Sequence, residues 1–415
     1  MDNGNNNSAP RGSARERGRG QVPRAEDASN FEDALLGDPE YEQAFGERLE
    51  HTLDVDTWAS GIDWEQAVAR IKAEVADAVA QEEQIRNTIR SRILPKLKQT
   101  LPEAGVYRAA LAELEKVHDG LLFPGRVEAV DGTVVTYDSL PIGITQIGIA
   151  IVSYGGVSAT FSQRIFRKEI ASKQLDPLEQ ALEVINQRDG RGSVGRTSAQ
   201  DRISELGRRG IMAYAERKIL VDKCRAEWRI GHGQPCPYEL LTGSGQMTLL
   251  ERALEVMRRM IDFRQFVFVP SAPRERGLLT IGSALDGGEY VILNTMEAHM
   301  EAIVAGGHYD KRYRSLAEQF VRDCGPNVIM GLFRASDIAP PSMFYAHREV
   351  AHLAVRVAMA DSVLRPERGF PMLIDVADVT CKSAFGADGF LGLVHQAYAQ
   401  AGAPLRYSNE RDTRR

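Results

Sequence analysis

The sequence predicts an α/β fold in which helices flank a mixed β-sheet, with an N-terminal helical extension before it. Two observations support this class. Apolar runs of strand length cluster between Gly125 and about Ile165, and later runs alternate with segments of helical periodicity. Clustered strands followed by alternating strands and helices favour a mixed sheet covered by helices.

The composition is that of a globular protein without a membrane span. The chain has 415 residues, of which 43% are hydrophobic, and a net charge of −6. It contains no run of ~20 apolar residues, and its start, M-D-N-G-N-N-N-S, has no apolar signal region. We therefore expect a cytoplasmic protein with no membrane partner, whose contacts with nucleic acid come from local basic patches.

The cysteines do not indicate a metal site. Four cysteines lie far apart in the sequence without a C-x-x-C pair, so neither a zinc site nor disulfides are expected. His232 and Cys236 are four residues apart, but no second pair completes a tetrahedral set, and we interpret this spacing as chance.

Three regions follow from the pattern along the chain. Residues 1–30 are rich in Asn, Gly, Ser and Arg and are expected to be a disordered tail. Residues 31–118 form a helical region, in which an apolar stripe recurs at three- and four-residue steps from Trp64 to Ile93 before Pro95. Whether this stripe pairs with another helix or packs on the main domain stays open. Residues 119–415 are expected to form the main domain.

The elements of the main domain are predicted from short patterns. A strand from Val127 to Val130 ends on Asp131, and Gly132 turns the chain into a second strand, Val134 to Tyr137. A helix near Thr197–Cys224 is followed by a short strand, P-Y-E-L-L-T, and a helix at Thr248–Ile261. Later strands are expected at Gln265–Val269, Tyr290–Leu293, Val328–Phe333 and His352–Met359, with helices at Met296–Val304, Tyr313–Cys324 and after Pro371.

Asp131 is the first candidate for chemistry. A carboxylate at the end of a core strand sits on a rigid support, which a metal-dependent nuclease needs for its first ligand. An Asp-Gly pair between apolar runs is also an ordinary hairpin signal.

The order of several motifs resembles that of the NurA family of nucleases. The motifs are A-V-D-G-T at Ala129–Thr133, a helix that carries a glutamate, and G-F-P-M-L-I-D-V-A-D at Gly369–Asp378. The segment Met343–Val357 is similar to the family's strand pair before that last helix, and the resemblance extends from Val127 to Arg415.

The resemblance implies a ribonuclease-H-like core and a Mn²⁺- or Mg²⁺-dependent nuclease that degrades DNA ends. It also implies a homodimer docked on a hexameric HerA-type ATPase that pumps DNA. Asp131 matches the first catalytic aspartate. Glu216, on the apolar side of its helix, matches the second acid, and Asp378 falls where the family often has histidine. Asp131 with Asp378, and Asp131 with Glu216, would then hold metal ions. The alternatives are a surface Glu216 paired with an arginine, and an ion pair between Asp378 and Lys382.

The third acidic position of the family is where the sequence departs from it. The family's strand ends in D-G-[SP], whereas P-Y-E-L-L-T-G-S-G carries Thr242 there. Glu239 substitutes if the strand shifts, and a rival alignment places Asn294 in this role. The loop L-T-G-S-G-Q-M-T has Gln246 where a phosphate-binding loop needs lysine, so ATP hydrolysis would belong to a partner. Three arginines, at positions 334, 348 and 356, are candidates for phosphate contact or for ordinary ion pairs.

The functional hypothesis is a metal-dependent DNA nuclease that works with a HerA-type ATPase in DNA end processing or anti-phage defence. The alternative, which the altered third position favours, is a non-catalytic dimeric DNA-guiding subunit of such a complex.

Overall fold

The computed structural model describes residues 38–58, 64–99, 101–140, 142–168, 176–192, 205–273, 276–307, 309, 311–407 and 410. Residues 1–30, predicted to be a disordered tail, and residues 197–204 at the start of the helix predicted near Thr197–Cys224 lie outside these ranges. The chain divides between Ala69 and Arg70 into two compact units. The first contains helices α1 (Asp38–Phe45) and α2 (Leu49–Leu53). None of the helices in the described ranges has the length and apolar character that a bilayer crossing needs.

A mixed sheet of nine strands forms the centre of the second unit. Its strand order is β1-β7-β8-β9-β6-β5-β2-β3-β4. The strands are β1 (Gly105–Arg108), β2 (Val127–Asp138), β3 (Ile142–Val152), β4 (Ser158–Lys168), β5 (Trp228–His232), β6 (Phe266–Val269), β7 (Glu289–Thr295), β8 (Val328–Arg334) and β9 (Ser342–His347).

The half of the sheet from β4 to β6 has ribonuclease-H-like topology, as expected from the sequence. Strands β2, β3 and β4 form an antiparallel meander. Strands β5 and β6 then add to the other side of β2 in parallel orientation. Helices connect β4 to β5 and β5 to β6, as parallel neighbours require. The other strands, β9, β8, β7 and β1, extend the sheet with antiparallel pairs.

Helices cover both faces of the sheet, and each face has its own apolar core. One core joins the sheet to α6, α7, α8, α10 and α11, and the other joins it to α4, α12 and α13. The remaining helices are α3, α5, α9 and α14. The bounds are α3 (Trp64–Thr88), α4 (Leu111–Val117), α5 (Pro177–Gly192), α6 (Glu205–Asp222), α7 (Tyr238–Leu241), α8 (Met247–Phe263), α9 (Arg276–Ser283), α10 (Glu297–Gly306), α11 (Lys311–Cys324), α12 (Ala351–Ser362), α13 (Met372–Phe385) and α14 (Ala387–Gln400).

The segment after α3 is fixed to the sheet by an ion pair. A π-helical turn, Ile89–Ile93, follows α3, and a 3₁₀ turn, Leu94–Gln99, contains Pro95. Arg90 donates to both oxygens of Glu289 at 2.8 and 3.3 Å and to the carbonyl of Ala284 at 2.8 Å. The hydrogen bonds between Arg90 and Glu289 raise the pKa of Arg90. Burial would raise the pKa of Glu289, but the hydrogen bond from Arg90 and the charge of Arg90 lower it. The end of the stripe therefore packs on the main unit.

Three predicted elements are wrong. Strand β2 runs without a turn through Asp131 and Gly132, so the two short strands are one. The predicted strand P-Y-E-L-L-T is the short helix α7, and the predicted strand at His352–Met359 lies within α12. Short apolar runs do not distinguish a fully buried helix from a strand, which explains both of the latter errors.

A buried carboxylate holds the start of α13. Asp361, on α12, accepts hydrogen bonds from Tyr154 Oη at 2.6 Å and from the backbone N–H of Leu373 at 2.8 Å. The preceding cap residue, Pro371, has no side chain to satisfy that N–H. Burial is the main reason that the pKa of Asp361 is raised to about 6.

Asp361→Asn is expected to change how stability depends on pH. Because the folded-state pKa is raised, the wild-type contribution is complete below the unfolded pKa and is lost as pH rises through about 6. The difference is on the order of 3 kcal/mol, at about 1.4 kcal/mol per pKa unit. Urea unfolding between pH 4 and 7 measures it. Asp388→Asn, at an exposed carboxylate, should follow the wild-type profile; parallel profiles for all three proteins would contradict the prediction.

Candidate active site

The parallel pairing of β2 with β5 places Asp131 beside His232. Val130 of β2 pairs with Gly231 of β5. Asp131 follows Val130 and His232 follows Gly231, so Asp131 and His232 are neighbours across the two strands. Both side chains lie on the sheet face that α13 covers, because side chains alternate along a strand. His232 Nδ1 lies 3.1 Å from Asp131 Oδ1, and His232 Nε2 lies 3.0 Å from Ser271 Oγ.

Glu216 reaches this position from α6, on the opposite face of the sheet. A Cβ atom at residue 132 would lie 2.6 Å from Glu216 Oε1 and 3.0 Å from Met212 Cγ. Gly132 therefore lets α6 approach β2 closely, and its backbone N–H donates to Asp131 Oδ1 at 2.8 Å. The Asp-Gly pair, predicted to be a turn, is instead a site of close helix approach within a strand.

Burial and charge both act on Glu216. Its pKa is raised to about 7, mainly by burial and also by the charge of Asp131, although Arg217 opposes the shift. The Arg217 guanidinium donates to Glu216 Oε2 and to the carbonyl oxygens of Ala213 and Gln234. The Cζ atom of Arg217 lies over the Phe268 ring, 5.2 Å from the ring centroid. Arg217 thus links α6 to the turn that follows His232.

The hydrogen bond and charge of Asp131, together with the charge of Glu216, also raise the pKa of His232. Burial alone would lower this pKa, because it disfavours the charged imidazolium. Three acidic or imidazole groups from different elements therefore interact electrostatically around β2.

Helix α13 brings Asp378 to the same place. Lys382 Nζ donates to Asp378 Oδ2 at 2.8 Å, which is the ion pair that the sequence offered as an alternative to metal binding. The pKa of Lys382 is raised by this hydrogen bond and by the charges of Asp378 and Asp131. Asp375, one turn earlier on α13, contacts Arg368 at 2.8 Å and Arg365 at 3.6 Å.

The donor types suit a divalent cation. Three carboxylates and one imidazole are ligands that Mn²⁺ accepts, and Mg²⁺ accepts the carboxylates. Burial is the main reason that the pKa of Glu216 is raised, and the negative charge of Asp131 adds to the shift; a cation would offset that charge. In this conformation, no three His, Cys, Asp or Glu side chains of the described ranges lie close enough together to hold an ion. Binding therefore requires each carboxylate to release or share its present partner.

The residues considered for the third acidic position lie on other elements than β2 and β5. Thr242 follows α7 and its hydroxyl donates to the carbonyl of Tyr238, while Glu239 lies within α7. Asn294 lies on β7, and four strands separate β7 from β2 in the sheet. The strand that follows the Glu216 helix is β5, and it ends in His232-Gly233. The sequence analysis gives His232 no functional role, whereas the structure places it beside Asp131.

The three candidate arginines are engaged away from this cluster. Arg334 donates to the carbonyls of Ala339, Leu285 and Asp337. The other two form ion pairs, Arg348 with Glu103 at 2.8 Å and Arg356 with Glu113 at 3.1 Å.

The solved structures to which this chain is similar include nucleases. No protein-family model and no curated protein matches the sequence. The chain is similar in structure to the NurA nuclease from Sulfolobus solfataricus, with 10% identity and a TM-score of 0.40 over 80% of this chain and 98% of that one. It is similar to NurA bound to dAMP and manganese, with 9% identity and a TM-score of 0.39 over 76% and 93% of the two chains. For endonuclease V from Bacillus subtilis, the identity is 8% and the TM-score 0.29 over 69% and 93%. NurA, the family that the sequence motifs resemble, recurs among these structures.

Gly132→Ala is expected to destabilise the fold by roughly 1–3 kcal/mol, because the new methyl group overlaps Glu216 Oε1 and Ile149 Cδ1. The midpoint of urea unfolding measures this loss. Gly392→Ala is the matched control: no atom lies within 4 Å of a Cβ there, and alanine favours the helix. Equal midpoints for the two variants would show that α6 does not press on β2.

Proposed function

We propose that the chain is a divalent-metal-dependent deoxyribonuclease that hydrolyses phosphodiester bonds. The observation that supports this proposal is that Asp131, Glu216 and Asp378, which belong to three elements distant in sequence, all lie close enough to Cys381 to raise the pKa of its thiol. Burial is the main reason that the pKa of Cys381 is raised to about 12, and the charges of all three carboxylates add to the shift. The charge of Asp131 also contributes to the raised pKa of Glu216.

Each residue of the site has a distinct part in this reaction. A bound divalent ion supplies Lewis acidity and a water molecule that loses its proton near neutral pH. Asp131 with Asp378 would hold one divalent ion, and Asp131 with Glu216 would hold a second. Arg217 holds Glu216 in place from a buried position. Lys382, whose side chain is 62% exposed, lies where it can exchange Asp378 for a phosphate oxygen of DNA.

A non-catalytic role is the second candidate. Each of the three carboxylates already has a basic partner: His232 for Asp131, Arg217 for Glu216 and Lys382 for Asp378. Such a cluster would also be stable without metal. A chain of this kind would guide DNA as a dimeric subunit of a larger complex.

Asp131→Asn is expected to abolish cleavage of linear DNA in Mn²⁺ or Mg²⁺, with a loss of at least about 100-fold in rate, because it removes the charge shared by both carboxylate pairs. Glu239→Gln is the control and should retain the wild-type rate, since Glu239 lies on α7. Gel analysis of end-labelled DNA, with and without EDTA, measures both. If the wild-type chain cleaves nothing, alone or with its ATPase partner, the DNA-guiding role is favoured instead.

We further propose that the chain acts in the cytoplasm as a homodimer that docks on a hexameric HerA-type ATPase, in DNA end processing or anti-phage defence. The HerA-type partner follows from the family resemblance and is tested by co-purification. For the dimer, the support is α3, whose apolar side chains recur at heptad spacing. Ile71, Val75 and Ile85 are each more than half exposed. A helix with such an unpaired stripe is suited to pairing with a second copy.

Val75→Asp is expected to convert the dimer to monomer, because it places a charge in the stripe without affecting the anchor at Arg90. Ala80→Asp puts the same charge on the outer side of α3 and should leave the dimer intact. Light scattering after size-exclusion chromatography measures the mass. A wild-type monomer, or a dimer that survives Val75→Asp, would contradict pairing through α3.

A further inference from the structure

His232 lies beside Asp131, but the proposed reaction gives it no role. It is the last residue of β5, and its side chain is one-third exposed, so one side of the ring reaches solvent. Its Nδ1 faces Asp131 and its Nε2 faces Ser271. The edge of the ring packs against Phe370, with ring centroids 6.1 Å apart. These contacts hold the imidazole in one orientation beside the strand-borne carboxylate.

The two partners of this ring differ in what they can do. The Asp131 carboxylate only accepts hydrogen bonds, so Nδ1 must carry the proton in the metal-free contact. The Ser271 hydroxyl can donate to Nε2 or accept from it. The same Ser271 contact therefore also serves the other tautomer, in which Nε2 carries the proton and the lone pair of Nδ1 points toward Asp131.

We propose that His232 is an imidazole ligand of the divalent ion, bound through Nδ1, and that Ser271 fixes the required tautomer by accepting from Nε2. This inference rests on the proposed metal-dependent function. A metal-bound histidine usually donates its second ring N–H to a neighbouring acceptor, and Ser271 Oγ at 3.0 Å is in position to accept it.

The other side chains near the ring are less suitable as a further donor. Cys381 is fully buried, and burial raises the pKa of its thiol. Asp375 is already paired with Arg368 and Arg365. His232 is the group that adds a neutral donor next to Asp131.

A nitrogen donor has a consequence for the choice of metal. Mg²⁺ binds oxygen ligands almost exclusively, whereas Mn²⁺ also accepts imidazole. The site should therefore bind Mn²⁺ more tightly than Mg²⁺, and this preference should depend on His232.

Pulsed electron paramagnetic resonance of Mn²⁺ bound to the full chain tests the ligand directly. The wild-type protein should show hyperfine coupling from a coordinated imidazole nitrogen. His232→Gln should lose this coupling, bind Mn²⁺ at least about 10-fold more weakly and bind Mg²⁺ nearly as before. Ser271→Ala should keep the coupling but weaken Mn²⁺ binding about 10-fold. His395→Gln, at an exposed histidine on α14, is the matched control and should resemble the wild type.

The outcomes separate this inference from the proposed function. Mn²⁺ that binds the wild-type site without nitrogen coupling, or coupling that persists in His232→Gln, overturns the role of His232 and leaves the nuclease proposal standing. A wild-type chain that binds neither Mn²⁺ nor Mg²⁺ overturns both. Melting temperatures of the variants establish that each is folded.

Discussion

The whole site depends on the close approach of three elements to strand β2. The parallel pairing with β5 fixes Asp131 and His232 side by side, and Gly132 leaves room for α6 to bring Glu216 through from the opposite face. The third approach is that of α13, which carries Asp378 over the Asp131 face. Strand pairing is what makes this possible, because side chains on neighbouring paired strands lie only about 5 Å apart.

The sequence predicts much of this arrangement from local patterns. Asp131 is identifiable because it follows an apolar strand, and Glu216 because it interrupts the apolar side of a helix. Both features depend only on residues close in the sequence: the preceding strand residues for Asp131, and residues one turn away on the helix for Glu216. The motif that starts α13 is also local, since Pro371 directly precedes the first turn of this helix. The mixed sheet and its flanking helices follow from the same periodicities, and the described structure confirms them.

What the sequence does not predict depends on contacts between distant residues. From the sequence alone, the Asp-Gly pair at Gly132 indicates a turn. The actual reason for glycine there is the close approach of Glu216, a residue far along the chain. Strand β5 is short and contains Arg229, which lies buried with its guanidinium 3.6 Å from the centre of the Phe263 ring. A buried arginine breaks the apolar pattern of a strand, so the sequence does not predict β5. Without this strand, the position of His232 beside Asp131 cannot be predicted either. Helix α12 is buried on nearly every side, and its continuous apolar run resembles a core strand.

The continuity of β2 divides the site into a stationary part and an adjustable part. Asp131 pairs with Ala150 of β3 and immediately follows the last residue that pairs with β5, so its backbone is clamped within the sheet. Helices α6 and α13 touch the sheet through side-chain packing, which permits small sliding movements that a strand ladder resists. If the donors close around an ion, the two helices would therefore move, and the strand would remain fixed.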